Sequence, residues 1–173
     1  LPAAAAVVHP FLGDYPNRGL AGVGVAFKLA QALLDAAPTP SGTDLAFLDG
    51  LLKLVAIGTI ADMMPLVGEN ALLVRRGLAS LAGSNGPGLA ALLRAAKIEG
   101  AIKAQEVAFS MAPRLNAVGR MGGAEDAVRL LLAREPAEAD RLMGRVEILN
   151  QERRQVQRTL AASLSAPGQA AFD

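Results

Sequence analysis

The chain predicts a mainly α fold, with about seven helices and one short N-terminal strand. Three observations carry that expectation. Apolar residues recur three and four positions apart in stretch after stretch, the period of a helix with one buried face. One segment alone, Ala3 to Val8, reads as a short unbroken apolar run of strand length. Clusters of glycine and proline punctuate the periodic stretches and mark where helices stop.

Ala3 to Val8 ends at His9-Pro10, because proline disfavours helix at the residue before it, and a loop through Gly13 to Gly19 follows. Val23, Phe27, Ala30 and Leu34 mark a helix from about 20 to 37, stopped by Pro38 to Gly42. Thr43 and Asp44 are cap-type residues ahead of a helix carrying Leu48, Leu51, Leu52 and Val55. After Gly68-Glu69-Asn70 comes a helix with Val74, Leu78 and Leu81, with Gly83 just beyond its end. Leu89, Leu92, Leu93 and Ala96 form a shorter one that ends before Gly100, and Gln105 to Ala112 reads as helical until Pro113 interrupts. Ala124, Ala127, Val128 and Leu131 make the next stripe. Pro136 suits the first turn of a last, unusually long helix with Leu142, Val146, Leu149, Val156 and Leu160, Arg-rich elsewhere, before a frayed tail from Ser165 to Ala171. A long two-sided helix suits a bridge between domains, so 1–135 is expected as one domain and 136–173 as a helix leading to another.

Composition excludes several function classes. The chain has 173 residues with 17 Lys+Arg against 16 Asp+Glu, which argues against coating nucleic acid by bulk charge but leaves room for a local basic site. Aromatics are 3% and tryptophan is absent, so stacking bases on an aromatic platform is not its main device. With no cysteine and one histidine, thiolate zinc sites, disulfides and His-rich metal sites are excluded within this chain. No apolar run approaches the roughly 18 residues of a membrane span. The start has neither a basic leader region nor an initiator Met, so a cytoplasmic piece of a longer chain is expected.

Two segments break the amphipathic routine. In Gly58-Thr59-Ile60-Ala61-Asp62-Met63-Met64-Pro65-Leu66 a carboxylate, Asp62, sits where an apolar helix is about to stop. Burying it is costly unless a cation or donors satisfy it; Mg²⁺ or Mn²⁺ would do so, as would a turn cap or a nearby arginine. In Ala112-Pro113-Arg114-Leu115-Asn116-Ala117-Val118-Gly119-Arg120-Met121-Gly122-Gly123 two arginines flank Asn116 and glycines follow. Arg114 and Arg120 could clamp phosphate oxygens, or complement a helix C-terminus.

Taken together, these two segments resemble the RecJ single-stranded-DNA exonucleases of the DHH phosphoesterase superfamily. Leu20 to Phe27 resembles the family's stretch after its Asp-His-His motif, and Leu149-Asn150-Gln151-Glu152-Arg153-Arg154 the start of its connecting helix. The likeness runs from about Val7 to Arg154 in the family's order.

The resemblance implies a segment of an α/β DHH-type catalytic domain ending in a long connecting helix. It implies a two-metal Mn²⁺ or Mg²⁺ centre to which Asp62 contributes as catalytic metal ligand. It implies that Arg120 faces the DNA 5′ end or its phosphates, with Asn116 and Arg114 in the same motif. The expected activity is 5′-to-3′ hydrolysis of single-stranded DNA in repair and recombination. A single-stranded-DNA-binding protein and a helicase are the expected partners of a cytoplasmic, monomeric enzyme. The family's Asp-rich and Asp-His-His motifs are not in this chain, so the piece alone is expected to be inactive and poorly soluble. The competing readings are a small-molecule phosphodiesterase of the same superfamily and a non-catalytic helical interaction module. His9 reads as structural. Gly22 and Gly24 read as close packing on the first strand or as phosphate-facing N–H groups. The set Arg141, Arg145, Arg153, Arg154 and Arg158, interleaved with Glu138, Asp140, Glu147 and Glu152, reads as a solvated face with intrahelical pairs.

Overall fold

Seven helical runs, and no strand, make up the regular structure of the described residues. The computed structural model describes residues 3–37, 42–83, 85–120 and 124–165, without the side chains at 120 and 165. The helices are α1 (Gly22–Asp35), α2 (Gly42–Ala61), α3 (Gly68–Leu81), α4 (Pro87–Ala96), α5 (Ala104–Glu106), α6 (Ala112–Arg120), α7 (Ala124–Leu132) and α8 (Pro136–Ser165). A π-helical turn, Val107–Met111, joins α5 to α6, so 104–120 is one run. The mainly α expectation holds, but the strand does not form: residues 3–8 carry no regular structure. A strand's N–H and C=O groups need a second strand to pair with, and the described residues contain none. The tail after Ser165 lies outside the described residues.

Proline 113 does not end its helix. Proline removes an N–H and its ring collides with the carbonyl four residues back, here Phe109. Phe109 sits inside the π turn, where Ala112 N–H bonds to the Val107 carbonyl five residues away. The wider turn accommodates the ring and the chain continues as α6.

The chain divides into two compact units, Leu1–Ser84 with Ile98–Ala112 and Asn85–Lys97 with Pro113–Asp173. In the first, α1 and α3 pack against α2 around Leu20, Phe27, Leu52, Val55 and Leu73. The α2–α3 contact is backbone-close because α3 presents Gly77: a Cβ there would collide with the Leu52 carbonyl and lie 2.6 Å from the Ala56 Cβ. The last turn of α2 uses Gly58 the same way, since a Cβ would meet Val23 Cγ1 of α1 at 2.7 Å. Gly24 packs on the Leu20 side chain rather than on a strand, and Gly22 has open space beside it.

In the second unit α4, α7 and the first half of α8 pack together, burying Leu92, Leu130, Ala139, Leu142 and Val146. The buried face of α7 is Asp126 and Leu130, one position off the expected stripe; Val128 is exposed. Gly88 of α4 lies against the Leu130 carbonyl, which turns that side of α7 inward. Most charged positions of α8 form the expected solvated face, and Arg153 bonds within the helix to Asn150 and Gln157, but three depart from the expected intrahelical pairing. They pair with other helices: Asp140 with Arg94, Glu147 with Arg114, and Arg145 with the buried Asp126. The expected apolar stripe continues past Leu149 as Val156 and Leu160, but both are exposed. No helix of the described residues is long and apolar enough to cross a membrane.

Candidate functional site

Asp62 belongs to the first unit and the segment 113–120 to the second. Asp62 caps α2. Its N–H makes the last intrahelical bond, to Gly58 O at 2.9 Å, and the chain then turns sharply. Met63 N–H donates to Ile60 O at 3.0 Å and Met64 N–H to Thr59 O at 3.2 Å, the paired bonds of a left-handed helix stop. The left-handed residue is Met63, at φ 55°, where glycine is usual; its side chain is 89% exposed. A non-glycine residue in this conformation costs roughly 1–2 kcal/mol, and the two bonds hold it against that strain and fix the exit direction of the chain. Pro65 follows and keeps the helix from resuming.

The Asp62 carboxylate is exposed and has no hydrogen-bond or ion-pair partner among the described residues. The burial cost expected from sequence therefore does not arise: Asp62 closes α2 through its backbone, while its side chain neither caps a turn nor meets an arginine among the described residues. Such a carboxylate suits one hard divalent cation contact. It does not suit a whole metal centre: among the described residues no three Asp, Glu or His side chains gather as an ion-holding group.

Beyond Met63 the chain is secured by a polar network that residue spacing did not announce. Asn70, 2% exposed, donates from Nδ2 to Gly19 O at 2.8 Å and to Pro65 O at 3.0 Å. Its Oδ1 accepts from Asn17 Nδ2 at 2.9 Å. The neighbouring Glu69 accepts from Tyr15 Oη at 2.9 and 2.8 Å and from Asn17 Nδ2 at 3.3 Å, and Lys28 Nζ lies 3.3 Å away. Burial raises the Glu69 carboxyl, but the hydrogen bonds from Tyr15, Asn17 and Lys28 and the Lys28 charge outweigh it and hold the pKa below the ordinary value. Burial, then the bond to Glu69 and its charge, push Tyr15 up to about 12. Loop 15–19, α1 and the entry to α3 are thereby tied together. The only sequence signal was Gly68-Glu69-Asn70 as a helix start.

His9 behaves as a local structural residue: its Nδ1 accepts the Phe11 N–H at 3.2 Å and its ring leans on Phe11. Arg18 lies over the same Phe11 ring, and with Met64 these residues line a cavity of about 300 Å³.

In α6 the two described motif side chains part company. Asn116 is exposed, whereas the Arg114 side chain is only 11% exposed and its Nε donates to Glu147 Oε2 at 2.7 Å. Arg114 shares its side of the helix with the buried Ala117 and Val118, three and four residues on. Position 120 lies one helical turn beyond Asn116; the Arg120 side chain and Met121, Gly122 and Gly123 lie outside the described residues. On α8, Arg153 Nη2 donates to Asn150 Oδ1 at 3.1 Å, while the buried Asn150 Nδ2 and Arg153 Nε have no partner among the described residues.

No family model matches the chain. Its sequence is 44% identical over 159 residues to the single-stranded-DNA-specific exonuclease RecJ of Bacillus subtilis, covering 90% of this chain and 19% of that protein. The fold superposes on the crystal structure of Thermus thermophilus RecJ in complex with Mg²⁺ with a TM-score of 0.80 at 40% identity, over 90% of this chain and 24% of that one. The Mn²⁺ complex of the same protein gives 0.75 at 41%, over 90% and 22%. The chain thus spans 19% to 24% of the length of each of these relatives.

Proposed function

We propose, from the premise that this chain is a RecJ-type segment, that it forms part of a metal-dependent 5′-to-3′ exonuclease acting on single-stranded DNA. The observation that carries the proposal at residue level is Asp62, an unpartnered carboxylate held at a fixed helix end inside the Gly-Thr-Ile-Ala-Asp stretch. The metals are Mn²⁺ or Mg²⁺, the ions named for the Thermus relative. When bound, such ions stabilise charge on the attacking and leaving oxygens of a phosphodiester and supply the water nucleophile. Asp62 contributes one anionic oxygen to them, and the remaining ligands come from outside this segment.

Arg120 and Asn116, one turn apart on α6, bind the strand through its phosphates, the arginine as a charged fork and the amide as a neutral donor. Arg114 serves the same end indirectly, by anchoring α6 to Glu147. Residues 1–135 are read as the remainder of the catalytic domain and 136–173 as the connecting helix. Exposed Val156, Leu160 and Leu164 on its outer half support a role in reaching a further domain. Repair and recombination, a cytoplasmic monomer, and partnership with a single-stranded-DNA-binding protein and a helicase complete the reading.

The test uses the intact protein, with Mn²⁺-dependent degradation of 5′-phosphorylated single-stranded DNA as the assay. Asp62→Ala is expected to lower the rate by at least about a hundredfold, since removing a ligand should cost no less than the roughly ten- to hundredfold lost with a ligand's orienting partner. Arg120→Ala is expected to raise KM about tenfold or more, as losing a charge-assisted hydrogen bond would, with kcat little changed. Wild-type rates in both variants would make this segment scaffold.

A further inference from the structure

We propose that Asn70 is the positioning residue for the Asp62 carboxylate, acting through the backbone of Pro65. The inference rests on the reading of Asp62 as a metal ligand and adds what aims it. A ligating carboxylate is ordinarily oriented by hydrogen bonds to its free oxygen. Asp62 has none among the described residues, so its direction depends on the backbone on either side.

On the helical side that backbone is secured by the bonds to Gly58, Ile60 and Thr59. On the other side the chain leaves through the strained Met63, which would relax towards a right-handed or extended conformation if released. The Met64 N–H to Thr59 O bond opposes this from just beyond Met63, and the Asn70 amide adds the next hold along the chain: its Nδ2 binds Pro65 O at 3.0 Å. The same nitrogen holds Gly19 O at 2.8 Å, and Oδ1 is held by Asn17 Nδ2, whose own Oδ1 accepts the Gly19 N–H at 3.1 Å. Asn70 is 2% exposed and has a partner for each hydrogen it donates and for its oxygen. Serving two carbonyls and one donor from one planar head requires an amide. An aspartate of the same shape would turn an acceptor oxygen towards two carbonyl oxygens. The loop bearing Asp62 is therefore clamped at both ends, and the second clamp is a side chain eight residues away.

The experiment measures Mn²⁺ binding to the intact protein by calorimetry without DNA, alongside DNA hydrolysis, for wild type, Asn70→Ala, Asn70→Asp, Asn17→Ala and Asp62→Ala. Asn70→Ala and Asn70→Asp are expected to weaken Mn²⁺ binding about tenfold or more, the usual effect of removing an orienting partner. Raised Mn²⁺ should restore much of the lost hydrolysis, and KM for DNA should stay near wild type. A purely structural residue would lower melting temperature without moving the metal titration. Mn²⁺ affinity within about twofold of wild type in a folded Asn70 variant overturns the inference while leaving Asp62 as ligand. Wild-type affinity in Asp62→Ala removes the premise, a separate outcome. Should neither Asn70 variant fold, Asn17→Ala carries the test: about threefold weaker binding supports the clamp and unchanged binding overturns it.

Discussion

Replacing Gly77 by alanine tests the packing that sets the direction of α2, the helix that ends at Asp62. The added Cβ would collide with the Leu52 carbonyl and lie 2.6 Å from Ala56 Cβ and 2.9 Å from the Leu52 carbonyl carbon. Carbon atoms rest about 3.5–4.0 Å apart, so α3 must retreat by roughly 1 Å. None of the opposing atoms can rotate away, which places the strain near 3 kcal/mol, the upper end for overpacking. Alanine returns about 1 kcal/mol of helix propensity relative to glycine, leaving a net loss of about 2 kcal/mol. Gly50 of α2 is the matched control: it is exposed and a Cβ there meets nothing within 4 Å. Gly50→Ala keeps only the propensity gain and should stabilise by about 0.5–1 kcal/mol. Native-state hydrogen exchange in the intact protein reads both, with α2 and α3 amides exchanging about thirtyfold faster in Gly77→Ala and more slowly in Gly50→Ala. Equal effects at the two sites, or no acceleration in Gly77→Ala, would refute the close-packing argument.

Two further outcomes follow from the ion pairs and the tyrosine–glutamate bond. The Glu69 carboxyl is held below its ordinary value, so its contribution is present above about pH 4.5 and is lost as pH falls through the folded value; stability climbs with pH across the acid limb. Tyr15 is raised to about 12, so its share is complete below the ordinary value near 10 and is lost between about 10 and 12. Thermal melts against pH should show both limbs; Glu69→Gln should remove the Glu69 share of the acid limb and lessen the alkaline one, part of which survives because Tyr15 stays buried; unaltered limbs in that variant would contradict the assignment. Arg114→Ala strands Glu147 in a half-buried position and should cost about 3 kcal/mol. Crossing it with Glu147→Gln in a double-mutant cycle should give a coupling of about 1–2 kcal/mol. A change confined to KM for DNA, with no loss of α8 protection, would make Arg114 a phosphate contact instead.

What sequence discloses here depends on the range of the interaction. The periods of α1 and the first half of α8 were legible, because a buried stripe such as Leu142–Val146 is a local signal, whereas α2, apolar on every side towards its end, was legible as a helix by length and not by period. The Asp62 stretch was legible as a helix end before Pro65, but the burial expected of its carboxylate was not met, because the helix stop turns that side chain to solvent. The fate of Pro113 was not legible, since it depends on a π turn that leaves no mark in apolar spacing. Nor was the inward side of α7, which the glycine at position 88, far away in sequence, decides. Arg114 looked like a free phosphate clamp because its partner Glu147 lies 33 residues on. Asn70 looked like part of a helix start because the carbonyls it serves, Gly19 and Pro65, are backbone groups that carry no residue-type signature.

Tyr15 is the sole tyrosine of a chain without tryptophan, and its hydroxyl rests on a carboxylate. A phenol bonded to a carboxylate loses its excited-state proton readily and emits weakly. Within this segment the near-ultraviolet emission is thus a single channel whose intensity rises when Tyr15 leaves Glu69. Since Glu69 is chain-adjacent to Asn70 and both bond to Asn17, light from one ring reports on the loop that carries Asp62. The scarcity of aromatics that deprives the chain of a stacking surface gives it a built-in optical gauge of its own site.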